Sequence, residues 1–143
     1  MRDILFRGKR IDNGEWVECD ICHHDGVVSY IGQHPADGSM VCFDLDSTTV
    51  GQYTGLTANG KRIFEGDIIK FGETPLVVFW NDEAFSWHAK KCIGNPTMQY
   101  FFNCTNWDYT ELGWVAAEVP CTGRMTTEVI GNIHDNPELL ENP

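Results

Sequence analysis

Apolar residues in this chain of 143 residues fall in short runs, each bounded by glycine, asparagine or aspartate. Within the runs apolar and polar positions tend to alternate, which is the period of a half-buried β-strand. Residues 4–9 and 15–22 flank Asp12-Asn13-Gly14, a hairpin turn because Asn and Gly accept positive φ. Residues 27–31 follow Asp25-Gly26, and residues 40–43 follow Asp37-Gly38. Further along, 62–64 and 67–71 flank Glu65-Gly66, while 76–80 and 85–89 flank Asn81-Asp82-Glu83. Residues 98–102, 114–119 and 127–133 complete the set. Strands this short, with a turn signal about every 8–12 residues, predict an all-β, mainly antiparallel barrel or sandwich. The one helix start is Asn136-Pro137-Glu138: an N-cap, a proline at the first helical position and an acid in the first turn. It predicts a single short C-terminal helical turn or two.

The chain is expected to divide near Asp44-Leu45-Asp46-Ser47, into an N-terminal β-hairpin region (1–45) packed on a barrel domain (46–143). Turns dominate the middle. In Phe64-Glu65-Gly66-Asp67-Ile68-Ile69 the glycine supplies positive φ, and Asp67 is placed to bond back to a neighbouring backbone N–H as the chain enters a buried strand. Asn59-Gly60 offers another reversal just before it. Two reversals around one short strand suit a small, strongly bent barrel. A Gly-Asp pair followed by two β-branched residues also resembles the diverging turn of Src-homology-3 (SH3-like) barrels, a likeness of fold that carries no function.

Three blocks make a more specific resemblance. Phe6-Arg7-Gly8-Lys9-Arg10 with Asn13-Gly14-Glu15-Trp16-Val17 resembles the opening of the YopX family of phage and prophage proteins. Val50-Gly51-Gln52-Tyr53-Thr54-Gly55-Leu56, Asn59-Gly60-Lys61 and the run from Ile63 to Ile69 resemble its central block. Glu128-Val129-Ile130-Gly131-Asn132-Ile133 with Asn136-Pro137-Glu138-Leu139-Leu140 resembles its C-terminal signature. The order is right and the blocks span both ends. Departures are Cys19 in place of a usual glycine, Phe64 in place of a usual tyrosine, and a slightly short Thr57-Ala58 link. The resemblance implies an all-β protein with an SH3-like barrel in its C-terminal part, of phage or prophage origin, and it implies no reaction.

Composition narrows the partners. A chain with 42% hydrophobic and 12% aromatic residues is globular, with enough apolar surface for a real core. Its net charge of −11 repels phosphates and argues against coating nucleic acid. A DNA mimic would need acids spaced like phosphates, and there is no long Asp/Glu run. The few cations are unevenly placed. Arg2, Arg7, Lys9 and Arg10 cluster at the start, and after Lys91 the sole basic residue is Arg124. No apolar stretch approaches the roughly 18 residues of a membrane span, and the N-terminus turns charged before a signal-peptide core could form. A bacterial host cytosol is the expected location, and the six cysteines are then expected as thiols.

Candidate chemistry is sparse. Cys19-Asp20-Ile21-Cys22-His23 matches the C-x-x-C-H string of covalent haem attachment, but that chemistry needs export. The same residues, with His24, supply part of a zinc site and lack a second C-x-x-C partner. Cys22, His23 and Asp25 are neighbours along a strand, which does not bring a nucleophile, base and orienting acid into hydrogen-bonding geometry. His34, His88 and His134 are isolated, and His88 beside Trp87 reads as a half-exposed strand histidine. Catalytic residues, metal ligands and cofactor are therefore not expected. The expectation is a non-enzymatic protein-binding or accessory module. Its surfaces are the basic Arg7, Lys9 and Arg10 and the aromatic Trp107 and Tyr109 of a polar loop. The partner is an unidentified protein or a second copy of the chain, because strand edges pair readily. The alternatives are a hydrolase or metal-binding protein using Cys22 and His23, and a nucleic-acid-associated or DNA-mimicking protein.

Overall fold

Turn chemistry sets the strand order. The structure is a computed structural model describing residues 3–71, 74–91, 109–112 and 127–139, so the runs expected at 98–102 and 114–119 and the residue Trp107 lie outside the described residues. Asp25 (φ 48°) and Gly26 (φ 79°) both take positive φ, the type I′ combination whose twist matches that of paired strands. Asn59 (φ 52°) and Gly60 (φ 79°) repeat it. The chain gathers into two compact units, Met1–Tyr53 and Thr54–Pro143.

The first unit is built from β1 (Phe6–Arg10), β2 (Trp16–Cys19), β3 (Cys22–His24), β4 (Val27–Gln33) and the nearer part of β5 (Met40–Ala58). All pair antiparallel in the order β2-β1-β5-β4-β3. The β1–β2 turn is closed by Asn13 Oδ1, which accepts the Glu15 N–H at 2.9 Å, and by Gly14 N–H donating to the Arg10 carbonyl at 2.9 Å. In the β4–β5 turn Asp37 Oδ1 accepts the Ser39 N–H at 2.9 Å. The residues expected as a boundary, Asp44 to Ser47, lie inside β5, so the units part later, after Tyr53.

β5 is 19 residues long, pairs in turn with β4, β1 and the strand that follows it, and carries a large bulge opposite β1. Arg7 pairs with Gly51 and Lys9 with Asp46, leaving Gly8 opposite Ser47, Thr48, Thr49 and Val50. The bulge is stitched locally. Asp46 Oδ1 accepts from the Thr48 hydroxyl at 2.7 Å, and Thr49 Oγ1 donates to the Asp46 carbonyl at 2.6 Å while accepting the Lys9 N–H at 2.9 Å. A Cβ on Gly8 would lie 3.1 Å from Val50 Cγ2 and 3.2 Å from Leu45 Cδ1, so the bulge folds onto a residue with no side chain.

The outermost strands of this sheet are β2 and β3, yet only Asp20 and Ile21 connect them. Three Cα–Cα steps reach at most about 11 Å. The sheet must therefore curl until its two edges approach each other at the Cys19–Cys22 end. That is why the single strand expected over 15–22 is two strands with a break at Asp20-Ile21.

The second unit begins at Thr54 with the last part of β5, which turns at Asn59-Gly60 into β6 (Lys61–Phe64), its antiparallel neighbour. Then come β7 (Asp67–Phe71), β8 (Thr74–Asn81), β9 (Ser86–Lys91), β10 (Tyr109–Glu111) and β11 (Thr127–Asn132), in the order β10-β9-β8-β7-β11, all antiparallel. Its core joins Ala58, Ile63, Ile69, Phe71, Leu76, Val78, Ala89 and Leu112. Burying this much apolar surface at about 25 cal/mol per Å² supplies the main driving force for the unit.

The central and C-terminal blocks that resemble a known family are tied together here. Thr54 Oγ1 donates to the Ile63 carbonyl at 2.8 Å, and the Phe64 N–H donates to Asp67 Oδ2 at 2.8 Å. Gly66 takes φ 86°, donates to the Val78 carbonyl at 3.0 Å and accepts the Ile133 N–H at 2.9 Å. After β11 the chain closes in a 3₁₀ turn, Pro137–Leu139. Asn136 does not act there as the expected N-cap side chain: its Oδ1 turns back to accept the Asn132 N–H at 3.2 Å. Both sheets are open among the described residues, β2 and β3 bounding one, β10 and β11 the other. The antiparallel all-β expectation is met; the described strands form no closed barrel.

Candidate partner-binding site

β1 carries three of the expected site residues, and strand alternation sends Arg7 and Lys9 to one face and Arg10 to the other. Trp16 lies opposite Lys9 on β2. Its ring receives both cations, with Arg7 Cζ 4.9 Å and Lys9 Nζ 5.3 Å from the centroid. Arg10 is fixed differently. Asp12 grips its guanidinium through both carboxylate oxygens, with Nε to Oδ1 at 2.9 Å and Nη2 to Oδ2 as the second contact. Its Cζ sits 4.0 Å from the Phe43 ring centroid, and Phe43 stacks on Tyr30 at 5.4 Å. The hydrogen bond from Arg10 holds the Asp12 carboxyl below its ordinary range, and the same bond raises Arg10.

Beside these cations lies an open depression of about 580 Å³, within the volume range of small-ligand clefts. The buried Val28 and Leu45 form its apolar base; Arg10, paired with Asp12, lines it beside them, as does Asp46, and Lys9 lines it too while its ammonium rests on Trp16. Ile11 and Val27 stand at the two hairpin turns beside it and are exposed. Cation plus apolar base is a combination that recognises a carboxylate next to an apolar group. The sequence pointed to Lys9 and Arg10 but missed Ile11 and Val27. Their only signal is that each is an apolar residue set against a turn, Ile11 before Asp12-Asn13-Gly14 and Val27 after Asp25-Gly26.

The other candidates are placed less suggestively. Tyr109 opens β10 opposite Lys90, and Trp107 is outside the described residues. Cys22, His23 and His24 are all exposed on β3, where Cys22 and His24 share a face that His23 does not. His24 Nε2 lies 3.3 Å from Asp25 Oδ2 at the surface. Burial pushes the Cys19 thiol up, helped by Asp20 and Cys22, which is the reverse of what a nucleophile or metal ligand needs. Among the described residues no group of three or more His, Cys, Asp or Glu side chains comes together to hold a metal. His88 is buried, not half-exposed: its Nδ1 lies 3.3 Å from both the hydroxyl and the carbonyl of Ser86, and its ring leans on Phe79.

Open antiparallel sheets, tight type I′ turns and an apolar-based depression define an all-β protein with a surface recess. The chain belongs to the YopX protein family, which it matches over residues 5–141. No curated protein and no solved structure matches it. No helix among the described residues is long and apolar enough to cross a membrane.

Proposed function

We propose that the chain is a non-enzymatic protein-binding module whose depression beside β1 takes a partner segment bearing a carboxylate next to an apolar side chain. The observation that carries this reading is Arg10 standing beside the apolar Val28 and Leu45 in one recess. Arg10 is already ordered on Phe43 and Asp12, so little of its side-chain freedom remains to be lost on binding. In this reading the protein is a phage or prophage accessory factor acting in the bacterial cytosol, and nucleic acid is not its ligand. The tight Gly66-Asp67 turn and the short β6 support reading the second unit as a relative of SH3-like barrels.

The test is a photo-crosslinking side chain placed at Val27, on the rim of the recess, or at Gln33 at the other end of β4. In bacterial cells, Val27 is expected to give a discrete adduct that Gln33 does not give and that Arg10→Glu removes. Equal labelling from the two positions would sink the proposal.

A further inference from the structure

Four exposed residues, Asp82 to Phe85, cross from β8 to β9 at a hairpin tip of the second unit. The loop is tied at its base, where Asn81 pairs with Ser86 and Asn81 Oδ1 accepts the Glu83 and Ala84 N–H groups at 3.0 and 3.3 Å. Phe85 ends the loop at φ 53°, a left-handed conformation that glycine and asparagine take easily and a bulky side chain only under strain. Burial does not offset that strain, because Phe85 is 80% exposed. Trp80, edge-on to Trp87 with ring centroids 5.1 Å apart, adds partly exposed aromatic surface to the same hairpin. Nothing inside the fold is gained by a ring at position 85, and backbone strain of this kind collects where a residue serves an outside contact.

The charge of the tip limits what covers it. Asp82 and Glu83 set two exposed carboxylates beside the ring, on a chain that carries −11. Phosphate backbones and anionic lipid headgroups are repelled by such a tip, and so is a second copy of the chain. We infer that Asp82-Glu83-Ala84-Phe85 is a contact with a partner protein that presents an apolar socket rimmed by lysine or arginine. Phe85 enters the socket as the buried anchor, while Asp82 and Glu83 meet the rim and set approach and orientation. The loop is already fixed by Asn81 with the ring turned outward, so little ordering remains to be done on docking. This surface belongs to the second unit and does not rest on the recess beside β1.

The test places a photo-crosslinking side chain at Ala84, beside Phe85, in the full chain expressed in bacterial cells, and sequences the joined peptide by mass spectrometry. The joined peptide is expected to carry lysine or arginine next to apolar residues. Phe85→Gly is expected to lower the adduct yield about tenfold or more, yet to melt higher than the parent chain because glycine suits the positive φ. Asp82→Lys combined with Glu83→Lys is expected to abolish the adduct, and changing the basic residues of the joined peptide to glutamate to restore it. The inference is overturned by an adduct that Phe85→Gly leaves unchanged, by a charge exchange that fails to restore it, or by a Phe85→Gly chain that melts lower. A joined peptide that is acidic or comes from a second copy, a joined lipid or nucleic acid, or no adduct at all also overturns it. If Ala84 gives no adduct while Val27 gives its own, this inference falls and the reading of the recess stands.

Discussion

At Gly131 the absence of a side chain is a steric requirement. A Cβ there would lie 2.5 Å from Asn136 Oδ1 and 2.8 Å from its Cγ, and that amide is held in place by the Asn132 N–H. Gly131→Ala is expected to destabilise the fold by about 1–3 kcal/mol, the usual cost of overpacking. Chemical denaturation of Gly131→Ala, Asn136→Ala and the double variant checks this. The double variant should cost less than the two singles together, because Asn136→Ala removes the obstruction. Additive costs would mean that the two side-chain positions do not conflict. Cysteine reactivity gives a second prediction at this scale. Cys19 is half-buried with its thiol pushed up from an ordinary value near 9, while Cys22 and Cys42 are exposed thiols. Because the thiolate is the reactive form, Cys19 should ionise only above that value and lag Cys22 and Cys42 in alkylation at pH 8 to 9. Peptide mapping by mass spectrometry reads each site separately, and a Cys19 that reacted first would contradict the placement of its side chain.

Among the elements, the turn between β6 and β7 shows how polar groups can organise a buried segment. Asp67 is 1% exposed, and its Oδ2 takes the Phe64 N–H that the turn would otherwise leave without an acceptor. Asp67→Ala is expected to cost about 1–3 kcal/mol, the penalty for orphaning a buried donor. Asp67→Asn keeps an acceptor oxygen and should recover part of the loss. A thermal midpoint equal for both variants would assign the cost to charge and not to the acceptor. This contact was legible beforehand because a Gly-Asp turn is local chemistry. So were Asp25-Gly26 and Asn59-Gly60, whose type I′ geometry needs only the two central residues. β5 was not legible. Asp44-Leu45-Asp46-Ser47 read as a boundary, whereas the strand runs through it, held by β1 on one side and β4 on the other. Such non-local pairing overrides local preference. The depression was half legible for the same reason: Lys9 and Arg10 adjoin in sequence, but Val27, Val28 and Leu45 reach them only through strand pairing. Phe85 read as the first residue of a strand, whereas its positive φ puts it in the turn before β9.

The whole molecule is unequally provided with core. Among the described residues the second unit buries Ile63, Phe64, Ile68, Ile69, Phe71, Leu76, Val77, Val78 and others, whereas the first buries Val28, Leu45 and Tyr53. Much of the first unit is instead held by cation–ring contacts, turn hydrogen bonds and strand pairing at a surface open to water. Those interactions are each worth about 0.5–1.5 kcal/mol, against about 2–5 kcal/mol for a well-packed large aliphatic side chain. Local opening should follow this difference, since segments with few buried apolar contacts open at lower free energy than a packed sheet. Hydrogen exchange read by mass spectrometry is therefore expected to show β7 and β8 protected longest, and β2 to β4 exchanging well before them. Ile69→Ala should raise exchange through β7, β8 and β11 together, because it removes a fully buried side chain from a strand paired on both sides within that sheet. Val28→Ala should loosen β3 and β4 while leaving β7 and β8 protected. Uniform exchange along both units, or loss of β7 protection on Val28→Ala, would show that one cooperative core spans the division. The recess would then sit on the rigid part of the molecule. On the distribution of core seen here it sits on the looser part, so a partner filling it is expected to slow exchange across β1 to β4 and to leave β7 and β8 unchanged.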